Sequence, residues 1–236
     1  MWSNEISLDK KYEREIEYII GKLDSMKDIS FAIEESEDRV WIYLASVCER
    51  QDAIEEELFE IVATVVLTFF KTRFFEERLR GVKASFARCV LICSLVHFDR
   101  DFEKTIIRKV LSNALDYNLD GLMNFRLRAL KDEWQELAGV SQKLLESTND
   151  EGEVFEVSTF ITGNEQKKSK VVINGDKIKN LTEHSNVEII NVFDDDEYNF
   201  VLAILGTHPA EIVFENVCLS KDMRSTLKKI SRVIEK

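Results

Sequence analysis

Proline occurs once in 236 residues, at Pro209, glycine eight times and histidine three times. So little Pro and Gly excludes collagen-like, Pro-rich and low-complexity chains. The four cysteines, Cys48, Cys89, Cys93 and Cys218, lack the spacing of a disulfide framework. They suit a reducing compartment, where free Cys packs as a small hydrophobe. Long apolar runs are also missing. The two longest, Ile61–Phe70 and Cys89–Phe98, are half of the roughly 20 residues a membrane-spanning helix needs. They read as buried helices, so no membrane insertion is expected. The polar segment Met1–Lys11 has no apolar core of a secretory signal. A cytoplasmic location is the expectation.

Charge of one sign is plentiful. There are 44 acidic against 32 basic residues, a formal net charge of −12. Residues 1–70 carry 17 acids and 7 bases, whereas 71–150 carry 12 and 14. A chain this acidic repels phosphate backbones, which argues against bulk nucleic-acid binding. The apolar share of 44% is enough for a folded core.

The periodicity predicts an α+β protein in three parts. Residues 1–50 form an N-terminal α-β-β unit. Its helix runs from Asp9 to Met26, and its hairpin pairs Ile29–Ile33 with Val40–Leu44. Residues 51–146 form a central helical bundle, with helices over Gln51–Leu79 (ended by Gly81), Lys83–Phe98, Asp101–Leu115 and Leu122–Leu145. Residues 147–236 form a small C-terminal α/β unit after the polar stretch Ser147–Gly152. Strands are expected over 154–161, 170–173, 187–192 and 210–214, with a turn at Asn174-Gly175. Helices are expected over Asp194–Leu205, closed by Gly206, and Ser220–Ile234 with Ser220 as N-cap. The last two strands should be parallel and joined by a right-handed crossover.

Few residues carry chemistry. Cys89, Cys93 and His97 fall at i, i+4, i+8 on one helix, a spacing open to a soft metal, while the surrounding Val90, Leu91, Ile92, Leu95 and Val96 favour a packed core. A fourth ligand would come from Cys48, Cys218, His184 or His208. Asp194, Asp195 and Asp196 open a helix after an apolar strand. Such a cluster caps the helix, or holds Mg²⁺ for an enzyme or nucleotide binder. His208, before Pro209, has the residue type for acid–base or binding work. There is no G-x-G-x-x-G, no phosphate loop, no G-x-S-x-G and no H-E-x-x-H. No cofactor is therefore expected.

The segment Leu119–Arg128, LDGLMNFRLR, resembles the G-x-x-N-F-R-L segment of the YtxC-like sporulation protein family through Gly121, Asn124, Phe125, Arg126 and Leu127. The resemblance is clearest over 113–236. It includes an alternating strand region at 153–173, an apolar helix at Tyr198–Leu205, a turn at Thr207–Ile212 and a closing Leu/Lys-rich helix. It implies a cytoplasmic protein tied to sporulation, with no catalytic residues to carry over. On their own chemistry, Asn124 reads as a helix cap and Arg126 as a partner of Asp120 or Glu133. The expected function is a non-enzymatic protein that acts by contact with an unidentified protein partner. Asn124, Arg126, Arg128 and His208 are the candidate binding residues.

Overall fold

A computed structural model describes residues 2–47, 51–80, 86–112, 114, 116–147, 151–163 and 169–235. Met1, Cys48, Gly81, Lys83, Leu115 and residues 148–150 of the Ser147–Gly152 stretch, all named above, lie outside them. The fold is α+β, with two mixed sheets among the helices. The chain divides into two units, Met1–Arg73 with Asp99–Glu136, and Phe74–Phe98 with Leu137–Lys236. Residues 51–146 are thus shared between both.

The first unit opens with β1 (Trp2–Asp9), a strand hidden in the polar N-terminus. Helix α1 (Glu13–Ser25) follows, then the hairpin β2 (Ser30–Glu35) and β3 (Arg39–Ser46). The sheet order is β2-β3-β1-β4, where β4 (Tyr117–Asn118) runs parallel to β1. The antiparallel register sets Ile6 opposite Ile42 and Leu8 opposite Val40. Period-2 alternation sends these side chains to one face, and all four are buried. Ile19 and Leu23, four apart on α1, are buried as well.

The expected long helix from Gln51 is present as three consecutive pieces. These are α2 (Gln51–Thr64), a π-helical stretch Val65–Phe70, and α3 (Lys71–Arg78). All six residues of the π stretch are buried. Tyr12 and Tyr18 of the N-terminal segment meet Phe70 and Phe69 at ring centroid distances of 5.0 and 5.3 Å. Glu15 of α1 is buried and takes a 2.7 Å hydrogen bond from Arg73. Burial pushes its carboxyl pKa up, and Arg73 pulls it back.

Directly after the π stretch, Lys71 is fully buried and donates to Glu103 Oε2 at 2.7 Å. Glu103 lies on α5 (Arg100–Leu111), and its Oε1 accepts from Trp134 Nε1 at 2.6 Å. Trp134 lies on α7 (Arg128–Ser147). Three segments distant in sequence are thereby tied through one carboxylate.

The second unit is built around α4 (Phe86–His97), nine of whose twelve residues are buried. Such all-round burial requires cover on several sides. Helix α8 (Glu151–Gly163) and helix α9 (Asp196–Leu205) both contact it. Residues 154–161, expected as a strand, thus form a helix. The period-2 appearance of Val154–Ile161 is overridden by burial of Val154 and Phe155. Ser158 and Thr159 return their hydroxyls to the carbonyls of Val154 and Phe155, both at 2.8 Å, which suits a helix and no strand.

The second sheet has the order β7-β6-β5-β8-β9. Its strands are β5 (Ser169–Asn174), β6 (Lys177–Asn180), β7 (Ser185–Val187), β8 (Pro209–Glu215) and β9 (Arg232–Glu235). The Asn174-Gly175 turn joins β5 to β6, with Gly175 at φ +61°. Strand β8 pairs in parallel with β5 and β9, not with the 187–192 segment, of which only Val187 is in a strand. The crossover therefore spans β5 to β8. The closing helix α10 (Lys221–Ile230) starts on Ser220, whose Oγ accepts from Met223 N at 3.1 Å. It ends four residues early because 232–235 join the sheet.

Candidate functional site

The segment that carries the resemblance forms a tight corner in the first unit. After β4 the chain enters a short turn of helix, α6 (Leu119–Gly121), then a π-helical turn Leu122–Arg126, then α7. The cap is Asn118 and not Asn124. Asn118 Oδ1 accepts from Gly121 N at 2.9 Å and from Arg39 Nη2 at 2.6 Å. Asp120 is likewise engaged by Arg39, at 2.9 and 3.3 Å, and accepts from the backbone N–H of Asp9. The expected Arg126–Asp120 pair is thus replaced by Arg39–Asp120. Arg39 sits 81 residues away in sequence, too far for local spacing to reveal.

Gly121 has a physical reason to be glycine. A Cβ there would lie 2.7 Å from Asn118 Oδ1. Gly121→Ala should therefore expel the cap and cost about 1–2 kcal/mol, read as a lowered urea midpoint. Asn118→Ala should cost a similar amount, and the double variant should cost little more than either alone.

Below the corner, Leu122, Met123, Leu127 and Leu130 are buried. The N–H of Leu127 donates to the Leu122 carbonyl at 2.9 Å, closing the wide turn. Above it, Asn124, Phe125, Arg126 and Arg128 are all exposed. Phe125 has 83% of its surface open to solvent. Asn124 Oδ1 accepts from Lys131 Nζ at 3.3 Å. The corner therefore presents an aromatic ring and two guanidinium groups on a backbone pinned from beneath. That arrangement offers apolar contact and anion recognition.

The other candidates lie in the second unit. His208 is half-buried, at φ +48°, with its ring centroid 6.5 Å from that of His97. Asp194, Asp195 and Asp196 are exposed. Asp195 caps α9, its Oδ1 accepting from Glu197 N at 2.8 Å. Among the described residues, no group of three or more His, Cys, Asp or Glu is placed to hold a metal ion. Cys89 and Cys93 are buried with their sulfurs 3.9 Å apart, and burial pushes the Cys89 thiol pKa up. His97 Nε2 donates to the Leu202 carbonyl at 2.8 Å. These three side chains serve helix packing within the unit. No helix among the described residues is long and apolar enough to cross a membrane.

Sequence reasoning missed Asn118, Arg39 and the Lys71–Glu103–Trp134 cluster. An N-cap signal at Asn118, three residues before Gly121, was available; the other two depend on long-range contacts. No protein-family model, curated protein or solved structure matches the chain.

Proposed function

We propose that this chain is a non-enzymatic protein-interaction protein that docks through the corner at 124–128, in the cytoplasm of a spore-forming bacterium. The observation that carries the docking reading is Phe125, a large aromatic ring left 83% exposed on a corner fixed from below. Exposed aromatics flanked by Arg are the residue types that anchor interfaces. Arg126 and Arg128 beside it select a partner with an apolar pocket rimmed by carboxylates. The sporulation context rests on the residue resemblance through Gly121 and Asn124–Leu127 alone. The Mg²⁺-dependent alternative at Asp194–Asp196 has no comparable observation behind it, since Asp195 is committed to capping.

The test is affinity capture from sporulating cells, followed by binding measurements with the purified partner. Phe125→Ala should weaken that complex by about tenfold or more without changing thermal stability. Arg126→Glu should slow association and reverse its salt dependence. Equal binding by wild type and Phe125→Ala would sink the reading.

A further inference from the structure

The open edge of the first unit's sheet has a composition that suits one kind of partner. Strand β2 is the last in the order β2-β3-β1-β4 and pairs only with β3 among the described residues. The Ser36 N–H donates to the Arg39 carbonyl at 2.9 Å, which sets the alternation of the antiparallel ladder. Ala32 opposite Tyr43 and Glu34 opposite Trp41 then exchange hydrogen bonds. The peptide groups of Phe31, Ile33 and Glu35 point away from β3, toward the open edge.

The side chains at those same positions lie on the buried face of the sheet, beside Leu44, Ile42 and Val40. On β2 itself Phe31 is half-buried, yet Ile33 is 42% exposed, so the apolar cover of that face is incomplete at the middle of the edge strand. On the opposite face Tyr43 is 41% exposed, with its hydroxyl donating to Glu34 Oε2 at 3.1 Å. From Asp28 to Asp38 the hairpin carries Asp28, Glu34, Glu35, Glu37 and Asp38 and no basic residue. Lys10 reaches Glu35 at 2.8 Å; Arg39 is taken up by Asp120 and Asn118.

We infer that β2 is a strand-addition site for an extended basic segment of a partner protein, alternating apolar and Lys/Arg residues. Backbone groups of Phe31, Ile33 and Glu35 supply the ladder. An apolar side chain of the added strand covers Ile33, completing the inner layer. On the outer face, Lys or Arg stems lie along Tyr43 and carry their charges to Glu34 and its neighbours. A second copy of this chain fits poorly, because pairing two such edges opposes like charges directly. The inference concerns a different surface from the Phe125 corner and does not depend on it.

The experiment is a titration of the isotope-labelled full chain with a short alternating Lys–Val peptide, read by amide NMR and hydrogen exchange. The amides of Phe31, Ile33 and Glu35 should shift and gain protection. A peptide N-methylated at every second bond, on its pairing edge, should bind about tenfold or more weakly. So should an alternating Glu–Val peptide, and so should the Lys–Val peptide against the Glu34→Lys, Glu37→Lys variant. Phe125→Ala should leave the titration unchanged, which separates this site from the corner. Equal binding of the N-methylated peptide, shifts located away from β2, or self-association through β2 in place of peptide binding would each overturn the inference.

Discussion

Glu103→Ala is expected to lower the stability of the first unit by about 3–5 kcal/mol. Lys71 has no exposed surface, and Glu103 is its ion-pair partner at 2.7 Å. Removing the carboxylate takes the ion-pair partner at 2.7 Å from a buried ammonium and an acceptor from Trp134 Nε1. Lys71→Met combined with Glu103→Gln removes both charges and keeps an acceptor for the indole. That double variant should recover at least half of the loss, because a buried pair contributes little beyond compensating its own desolvation. All three tryptophans, Trp2, Trp41 and Trp134, belong to the first unit, so urea denaturation followed by Trp fluorescence reads this unit.

The same pair gives a pH signature. Burial, opposed by Glu103, lowers the Lys71 pKa from 10.5 to about 8. Between those values the unfolded chain holds more protons at this position than the folded one. The Lys71 contribution to stability therefore rises as pH increases from about 8 toward 10.5. The stability difference between wild type and the double variant should shift in favour of wild type over that window. A pH-independent difference would mean that Lys71 does not titrate there.

The second large effect is expected at Asn199, in the other unit. Its side chain is buried and acts as a clasp. Oδ1 accepts from the N–H groups of Val192 and Phe193 at 2.9 and 2.8 Å, and Nδ2 donates to the Phe193 carbonyl at 3.0 Å. Asn199→Leu fits the volume and fills none of these roles. Both backbone groups of Phe193 lose their Asn199 partners, at a cost of about 2–4 kcal/mol. Hydrogen exchange of the buried amides in α9 and β8 should report it, with the Trp fluorescence transition as the contrast. Asn199→Asp keeps the two acceptor bonds but turns a carboxylate toward the Phe193 carbonyl. It should be destabilising at neutral pH and partly restored in acid, where the protonated carboxyl donates again. A variant Asn199→Leu with wild-type exchange rates would remove the clasp from the account.

What could be read from the sequence was local chemistry. The Asn174-Gly175 hairpin, the Ser220 cap and the Asp195 cap all follow from residues within three positions of each other. The β2–β3 hairpin was legible from its two β-rich runs. Strand β1 was not, because Trp2, Ile6 and Leu8, which mark its buried face, are separated by Ser3, Asn4, Glu5 and Ser7 in a polar segment. Helix α8 failed for a related reason: Val157, Thr159 and Ile161 favour a strand locally, while the cover that α4 needs decides otherwise. At the candidate corner the sequence singled out Asn124, Arg126 and Arg128, and the fold leaves all three exposed. The partner of Asp120 was not, since Arg39 reaches it across the sheet.

The central position of α4 bears on how the chain is made. In order of synthesis this helix is complete at residue 97, whereas α8 and α9, which cover it, are completed only at residues 163 and 205. At roughly 5–20 residues per second, about a hundred residues of further synthesis take on the order of 5–20 s. For that interval an almost wholly apolar helix has emerged ahead of the elements of its own unit that shelter it. The nascent chain thus passes through a sticky stage that the finished protein does not display, and slower elongation after His97 lengthens it.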